Sequence, residues 1–136
     1  MKRKEQPPKQ FWLVLDENLS GHSIYNVLKK ENLSVKQMIE FADRGASDEV
    51  LIRLLTKHKD CYLLTRDGDF RYKPSVKAAL MESNLGVFVI TSSGSKTGSE
   101  IAVIIIKAWK RIEKFIKKNK KPFVGKISSD GYVSLS

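Results

Sequence analysis

The apolar run Phe11-Trp-Leu-Val-Leu15 stops abruptly at Asp16. A continuous run this short, without polar alternation, predicts a strand buried on both faces, as in a parallel sheet. Cys61 to Thr65, ending at Arg66-Asp-Gly-Asp69, and Gly86 to Thr91 repeat the pattern. Between these runs the apolar period becomes helical. Ile24, Val27 and Leu28 share a face behind Ser20, a candidate cap, and Glu31-Asn32 ends that helix. The turn Asp43-Arg-Gly-Ala-Ser47 leads to a second helix capped by Ser47 or Asp48, with Val50, Leu51, Leu54 and Leu55 on one face. Pro74 to Asn84 reads as a helix with proline in its first turn. Glu100 to Lys118 is the longest, with Ile101, Ile104, Ile105, Ala108, Ile112, Phe115 and Ile116 facing the core. Leu33 to Ile39 reads both ways: Val35 and Ile39 fit a short strand, and Met38 fits a short helix. Phe123 to Ile127 and Tyr132 to Leu135 flank Asp130-Gly131, a hairpin signal.

Strands alternating with helices predict an α/β fold with a mostly parallel central sheet, helices on both faces, right-handed crossovers and a C-terminal β-hairpin. No internal repeat breaks the order. Residues 1–10, basic and carrying Pro7-Pro8, are expected to form a flexible arm, and residues 11–136 a single domain that includes the basic helix and the hairpin.

At 136 residues and 41% apolar, the chain can bury a core without staples. Cys61 is the sole cysteine, which excludes an internal disulfide, and in its apolar run it reads as a small buried hydrophobe. No secretory signal opens the sequence and no segment is long enough to span a bilayer, so a cytoplasmic protein that does not enter the membrane is expected. The balance of 25 Lys+Arg against 15 Asp+Glu gives a formal charge of +10. That charge favours an anionic partner, nucleic acid first, and supplies affinity without specificity.

Three acidic motifs sit where a parallel sheet makes chemistry possible. Asp16-Glu-Asn18 follows the first strand, Asp67-Gly-Asp69 follows the next clear core strand, and Asp48-Glu49 opens the helix between them. The carboxyl ends of parallel strands share one edge, where ligands bind, so Asp16 and Asp67 are expected to meet there with Asp48 close by. Carboxylates brought that close repel one another, and either raise each other's pKa or hold a cation. An oxygen-only set suits Mg²⁺ or Mn²⁺. Such an ion acidifies bound water and offsets charge on a phosphoryl oxygen. Each acid also has a structural reading: Asp67-Gly68 and Asp69 as turn residues, Asp48 as a helix cap, Asp16 as a strand terminus. His22 and His58 lack ligand spacing and read as structural.

Taken together, Leu15-Asp-Glu-Asn-Leu19, Gly45-Ala-Ser-Asp-Glu49 and Leu64-Thr-Arg-Asp-Gly-Asp-Phe70 resemble the PIN-like domains of VapC-type toxins. Thr91-Ser-Ser-Gly-Ser-Lys-Thr-Gly98 leading into Ile104-Ile-Ile-Lys-Ala-Trp109, and the Pro122-Phe-Val tail with Asp130-Gly131, resemble one VapC-like branch. The resemblance runs from Phe11 to the C-terminus. It implies a three-layer α/β/α (Rossmann-like) sandwich, Mg²⁺ or Mn²⁺ at an acidic site, and endoribonuclease activity. It also implies a toxin paired with a cognate antitoxin, commonly as a homodimer. By the same resemblance, Asp16, Asp67, Asp69 and Asp48 are the catalytic, metal-binding acids, with Glu49 a rival to Asp48. Asn18 and Thr65 would orient the ligands. The basic C-terminal helix and the hairpin depart from the usual pattern.

Lys107, Lys110, Lys114, Lys117 and Lys121 recur at three- and four-residue steps, widened by Arg111 and Lys118. They form a candidate RNA-binding stripe, or the solvated face of an amphipathic helix. Trp109 beside them either stacks on a base or packs inward. Ser92 to Ser99 could receive a phosphate at the following helix or serve as a connector, and it lacks the Walker spacing. A non-catalytic RNA- or partner-binding module on the same scaffold is the competing function. A receiver domain and a haloacid-dehalogenase phosphatase are disfavoured. The first lacks its lysine, and the second needs Asp-x-Asp where the chain has Asp16-Glu-Asn18.

Overall fold

The computed structural model describes residues 11–19, 22–66, 72–91 and 96–136. Among these residues six strands form one sheet: β1 (Trp12–Leu15), β2 (Val35–Gln37), β3 (Cys61–Thr65), β4 (Gly86–Ile90), β5 (Phe123–Ile127) and β6 (Val133–Leu135). Four α-helices of the same described residues flank it: α1 (His22–Lys30), α2 (Asp48–Leu55), α3 (Pro74–Glu82) and α4 (Gly98–Lys118). The order across the sheet is β2-β1-β3-β4-β5-β6. Every pairing is parallel except β5 with β6, which closes the sheet as a hairpin.

The apolar runs are buried on both faces because successive side chains serve opposite layers. Leu13, Leu15, Tyr62, Leu64, Phe88 and Ile90 join α1 and α4 in one core. Val14, Cys61, Leu63, Val87 and Val89 join α2 and α3 in the other. The result is the three-layer α/β/α arrangement. Cys61 is buried as a free thiol among these side chains. Aromatic rings pin the first layer: Phe88, Phe115 and Phe123 meet edge to face, with ring centres 5.1–5.6 Å apart. Gly86 lies beneath them, where an added Cβ would come within 2.6 Å of both Phe123 and Tyr62.

Residues 33–39 prove to be both elements in turn. Val35–Gln37 is strand, and Met38–Glu40 is a single 3-10 turn, so Ile39 leaves the sheet and stands 48% exposed. Helix α2 buries Leu51, Ile52 and Leu55. Val50 is therefore not on the core face as its spacing suggested: the helix is rotated to bring Ile52 inward, and Val50 is 44% exposed. Val27 likewise sits at the margin of the face that α1 buries. Ser20 and the arm of residues 1–10 lie outside the described residues, as does the side chain of His22. His58 packs edge-on against Phe41.

Helix α4 opens with a capping box: Thr97 Oγ1 accepts from Glu100 N–H, and Glu100 accepts from Thr97 N–H. Its far end is held by Asn119, whose side chain donates to the Phe115 carbonyl at 3.0 Å. No helix among the described residues is long and apolar enough to cross a membrane.

Candidate functional site

In a 2-1-3-4-5 parallel order the chain reverses direction across the sheet between β1 and β3, and that reversal opens a crevice at the strands' carboxyl ends. Leu15 of β1 pairs in register with Leu64 of β3, and the next residue, Asp16, donates its N–H to the Leu64 carbonyl at 3.1 Å. The ladder thus carries Asp16 to the mouth of that crevice, beside Thr65. Asp16 is 5% exposed and Thr65 fully covered, and these are the buried polar side chains of the described core.

The Asp16 carboxyl is pushed up to about 6, first by burial, with the charge of Asp48 adding to the rise. A hydrogen bond from the Thr65 side chain and the N–H groups of Asn18 and Leu19 act in the opposite sense. The Asn18 N–H donates to Asp16 Oδ1 at 3.0 Å, so the residue after next cradles the carboxylate from the backbone. Asn18 therefore contributes its main chain, and its exposed side chain is not what orients Asp16 in this arrangement.

Asp48 arrives from the other side, as the first residue of α2. Ser47 is the cap, its hydroxyl accepting from Val50 N–H at 3.3 Å, so Asp48 is not needed for that task. Its charge acts on Asp16. Two contacts fix it. Glu17, adjacent to Asp16, accepts from the Gly45 N–H at 3.0 Å and so holds the loop that leads into α2. Gly45 has φ +81°, a conformation open to glycine at little cost. The second contact is Lys73, whose Nζ lies 3.3 Å from Asp48 Oδ2. Neither the structural role of Glu17 nor the cation at Lys73 is visible in sequence, because the partners lie 28 and 25 residues away. Arg66, just past β3, donates to the Lys96 carbonyl at 3.3 Å and ties the crevice to the start of α4.

Asp67 and Asp69 lie outside the described residues, as do Ser92 to Ser95 of the polar loop. Among the described residues no group of three His, Cys, Asp or Glu side chains that could hold a metal occurs. Among the same residues, Asp16 and Asp48 are two carboxylates close enough for the charge of one to act on the other.

The candidate RNA-binding lysines Lys107, Lys110, Lys114 and Lys117 are all exposed on α4. From Lys107 to Lys117 the helix rises about 15 Å, at roughly 1.5 Å per residue. Lys107 sits against Gly131 in the hairpin turn. Lys121 does not belong to this stripe. The helix ends at Lys118, and Lys121 turns inward over the Tyr62 ring, 4.2 Å from its centre, donating to the Lys59 and Cys61 carbonyls. Arg111 is also engaged: it donates to the Gly131 carbonyl at 3.2 Å and covers the Tyr132 ring. Trp109 stacks on Phe11 with ring centres 5.2 Å apart, so it packs inward.

The described residues thus form a mostly parallel α/β domain with a buried acid at the point where its strand order reverses. A family model described as a PIN-like domain matches residues 12–92, from β1 through β4. The chain belongs to the PIN-like domain family, whose members are generally nucleases. The long basic helix and the hairpin lie beyond the matched segment. No curated protein and no solved structure gives a match.

Proposed function

We propose that this protein is a metal-dependent endoribonuclease whose carboxylates Asp16, Asp48, Asp67 and Asp69 hold Mg²⁺ or Mn²⁺. The observation that carries the reading is Asp16. It is a carboxyl group 5% exposed at the ligand-binding edge of the sheet, and the groups acting on it are hydrogen-bond donors and a second acid. A divalent cation would balance two such acids, and an all-oxygen donor set is what Mg²⁺ and Mn²⁺ prefer. When bound, the ion supplies an acidified water and charge to offset a phosphoryl oxygen. The family match spans all four acids. Thr65 and the Asn18 N–H hold the Asp16 carboxylate in one orientation, and Glu17 holds the loop that presents Asp48. The lysines of α4 would draw in the RNA backbone.

The resemblance of the acidic motifs to VapC-type toxins supports a finer reading. The protein would be the toxin of a type II pair in the cytoplasm, with a cognate antitoxin and a homodimer as its assemblies.

The second reading is a non-catalytic RNA- or partner-binding module on a PIN-like scaffold. The Lys73–Asp48 ion pair favours it, because a side-chain cation already compensates one of the acids. Incubating a mixed RNA pool with wild type and Asp16→Asn in Mg²⁺ or Mn²⁺, then sequencing the products, separates the two. Metal-dependent cuts lost in the variant support the nuclease. RNA binding without cleavage by wild type supports the binder.

A further inference from the structure

Helix α3 begins at Pro74, and the residue before it, Lys73, occupies the cap position without any capping hydrogen bond from its side chain. The Lys73 side chain instead reaches across to α2, where its ammonium pairs with Asp48 Oδ2 at 3.3 Å. The two side chains are 44% and 32% exposed, a setting in which an ion pair contributes little to folding. Its larger consequence is electrostatic: it sets a positive charge on the acid whose field reaches Asp16. The geometry points to Lys73 as a resident counter-cation of the acidic crevice, which a divalent ion must displace from Asp48 before that carboxylate can serve as a ligand. This rests on the metal-site reading above.

The arrangement lowers metal affinity and makes occupancy of the site a competition between one ammonium and one dication. A unit charge a few ångström from a bound dication opposes it strongly at the dielectric of a protein surface. The pair also moderates the like-charge repulsion that would otherwise act between Asp48 and Asp16 in the metal-free protein. Lys73 is thus a positioning residue that tunes the site through Asp48.

The test is Mn²⁺ binding, followed by electron paramagnetic resonance, in wild type, Lys73→Met and Lys73→Arg. Met keeps an unbranched stem, one atom shorter and without the charge, and removes no capping bond because the Lys73 side chain makes none; circular dichroism checks the fold of each variant. The expected result is about a tenfold or greater gain in Mn²⁺ affinity for Lys73→Met, with Lys73→Arg remaining near wild type. Binding detected in Lys73→Met but not in wild type supports the inference in its strongest form. Equal or weaker affinity in a folded Lys73→Met would overturn it while leaving the metal site intact. Absence of Mn²⁺ binding in all three proteins would remove the metal-site reading itself, and this inference with it.

Discussion

Glu17 and Gly45 are joined by a 3.0 Å hydrogen bond, from the glycine N–H to the glutamate carboxylate, across 28 residues of sequence. The bond links the end of β1 to the loop before α2, and so ties together the two elements that carry Asp16 and Asp48. Glu17 is exposed and makes no contribution to the core. Glu17→Ala is expected to cost about 1 kcal/mol in urea denaturation, the net contribution of a typical hydrogen bond. It should lower RNA cleavage more than its stability cost explains, roughly tenfold, by loosening the Asp48 loop. Glu17→Gln, which keeps the acceptor, should retain most of both. Equal losses in the two variants would assign Glu17 a role through its charge.

Asp16 makes the metal-free fold sensitive to pH in a defined sense. Its pKa is raised from 3.8 to about 6, so the native state favours the protonated form. The stabilisation from that preference is complete below pH of about 4 and disappears as pH rises through about 6. At neutral pH the buried charge therefore costs the metal-free protein on the order of 3 kcal/mol. Asp16→Asn removes this cost. The stability difference between variant and wild type should be small at pH 4 and should grow in favour of the variant toward pH 7.5. Chemical denaturation in EDTA across that range measures it, and a pH-independent difference would show that the carboxyl is not buried as described.

On the metal-site reading, the same residue would connect stability to metal. With Mg²⁺ or Mn²⁺ added at pH 7.5, wild type should gain thermal stability, because a ligand that binds only the native state shifts the folding equilibrium. Asp16→Asn should gain far less, and should lose at least about a hundredfold in cleavage as the charge at the metal is reduced. A variant with full activity would remove Asp16 from the reaction.

For the α4 stripe, reversal of Lys110, Lys114 and Lys117 to Glu should weaken RNA binding and flatten its salt dependence. The slope of log affinity against log salt should fall by about 2 if all three meet phosphates of a single strand. Arg111 and Lys121 are unsuitable for this test, since each holds part of the fold together. Unchanged affinity and slope would leave the stripe as a solvated helix face.

Much of the architecture is legible in the chain because burial on both faces leaves so few options. Phe11 to Leu15, Cys61 to Thr65 and Gly86 to Ile90 have no polar side that could face water, and parallel order then brings their ends to one rim. The position of Asp16 follows from that reasoning. The rotation of α2 does not. Val50, Leu51, Leu54 and Leu55 share one helical face, while Leu51, Ile52 and Leu55 share another that satisfies the same period. Packing into the second core, which also holds Met38 and Val76, selects between them. Lys121 fits the spacing of the α4 lysines, yet spacing has meaning only while the helix lasts, and it stops three residues earlier. The contacts Lys73–Asp48 and Glu17–Gly45 join residues with no local relation, so periodicity carries no trace of them.

The outermost strands, β2 and β6, are three residues each, and β6 turns its backbone against β5 in the opposite direction to the rest. A visiting strand at either margin would find only a few amide and carbonyl groups to join. Two copies of this chain would therefore gain little by merging their sheets into one continuous ribbon.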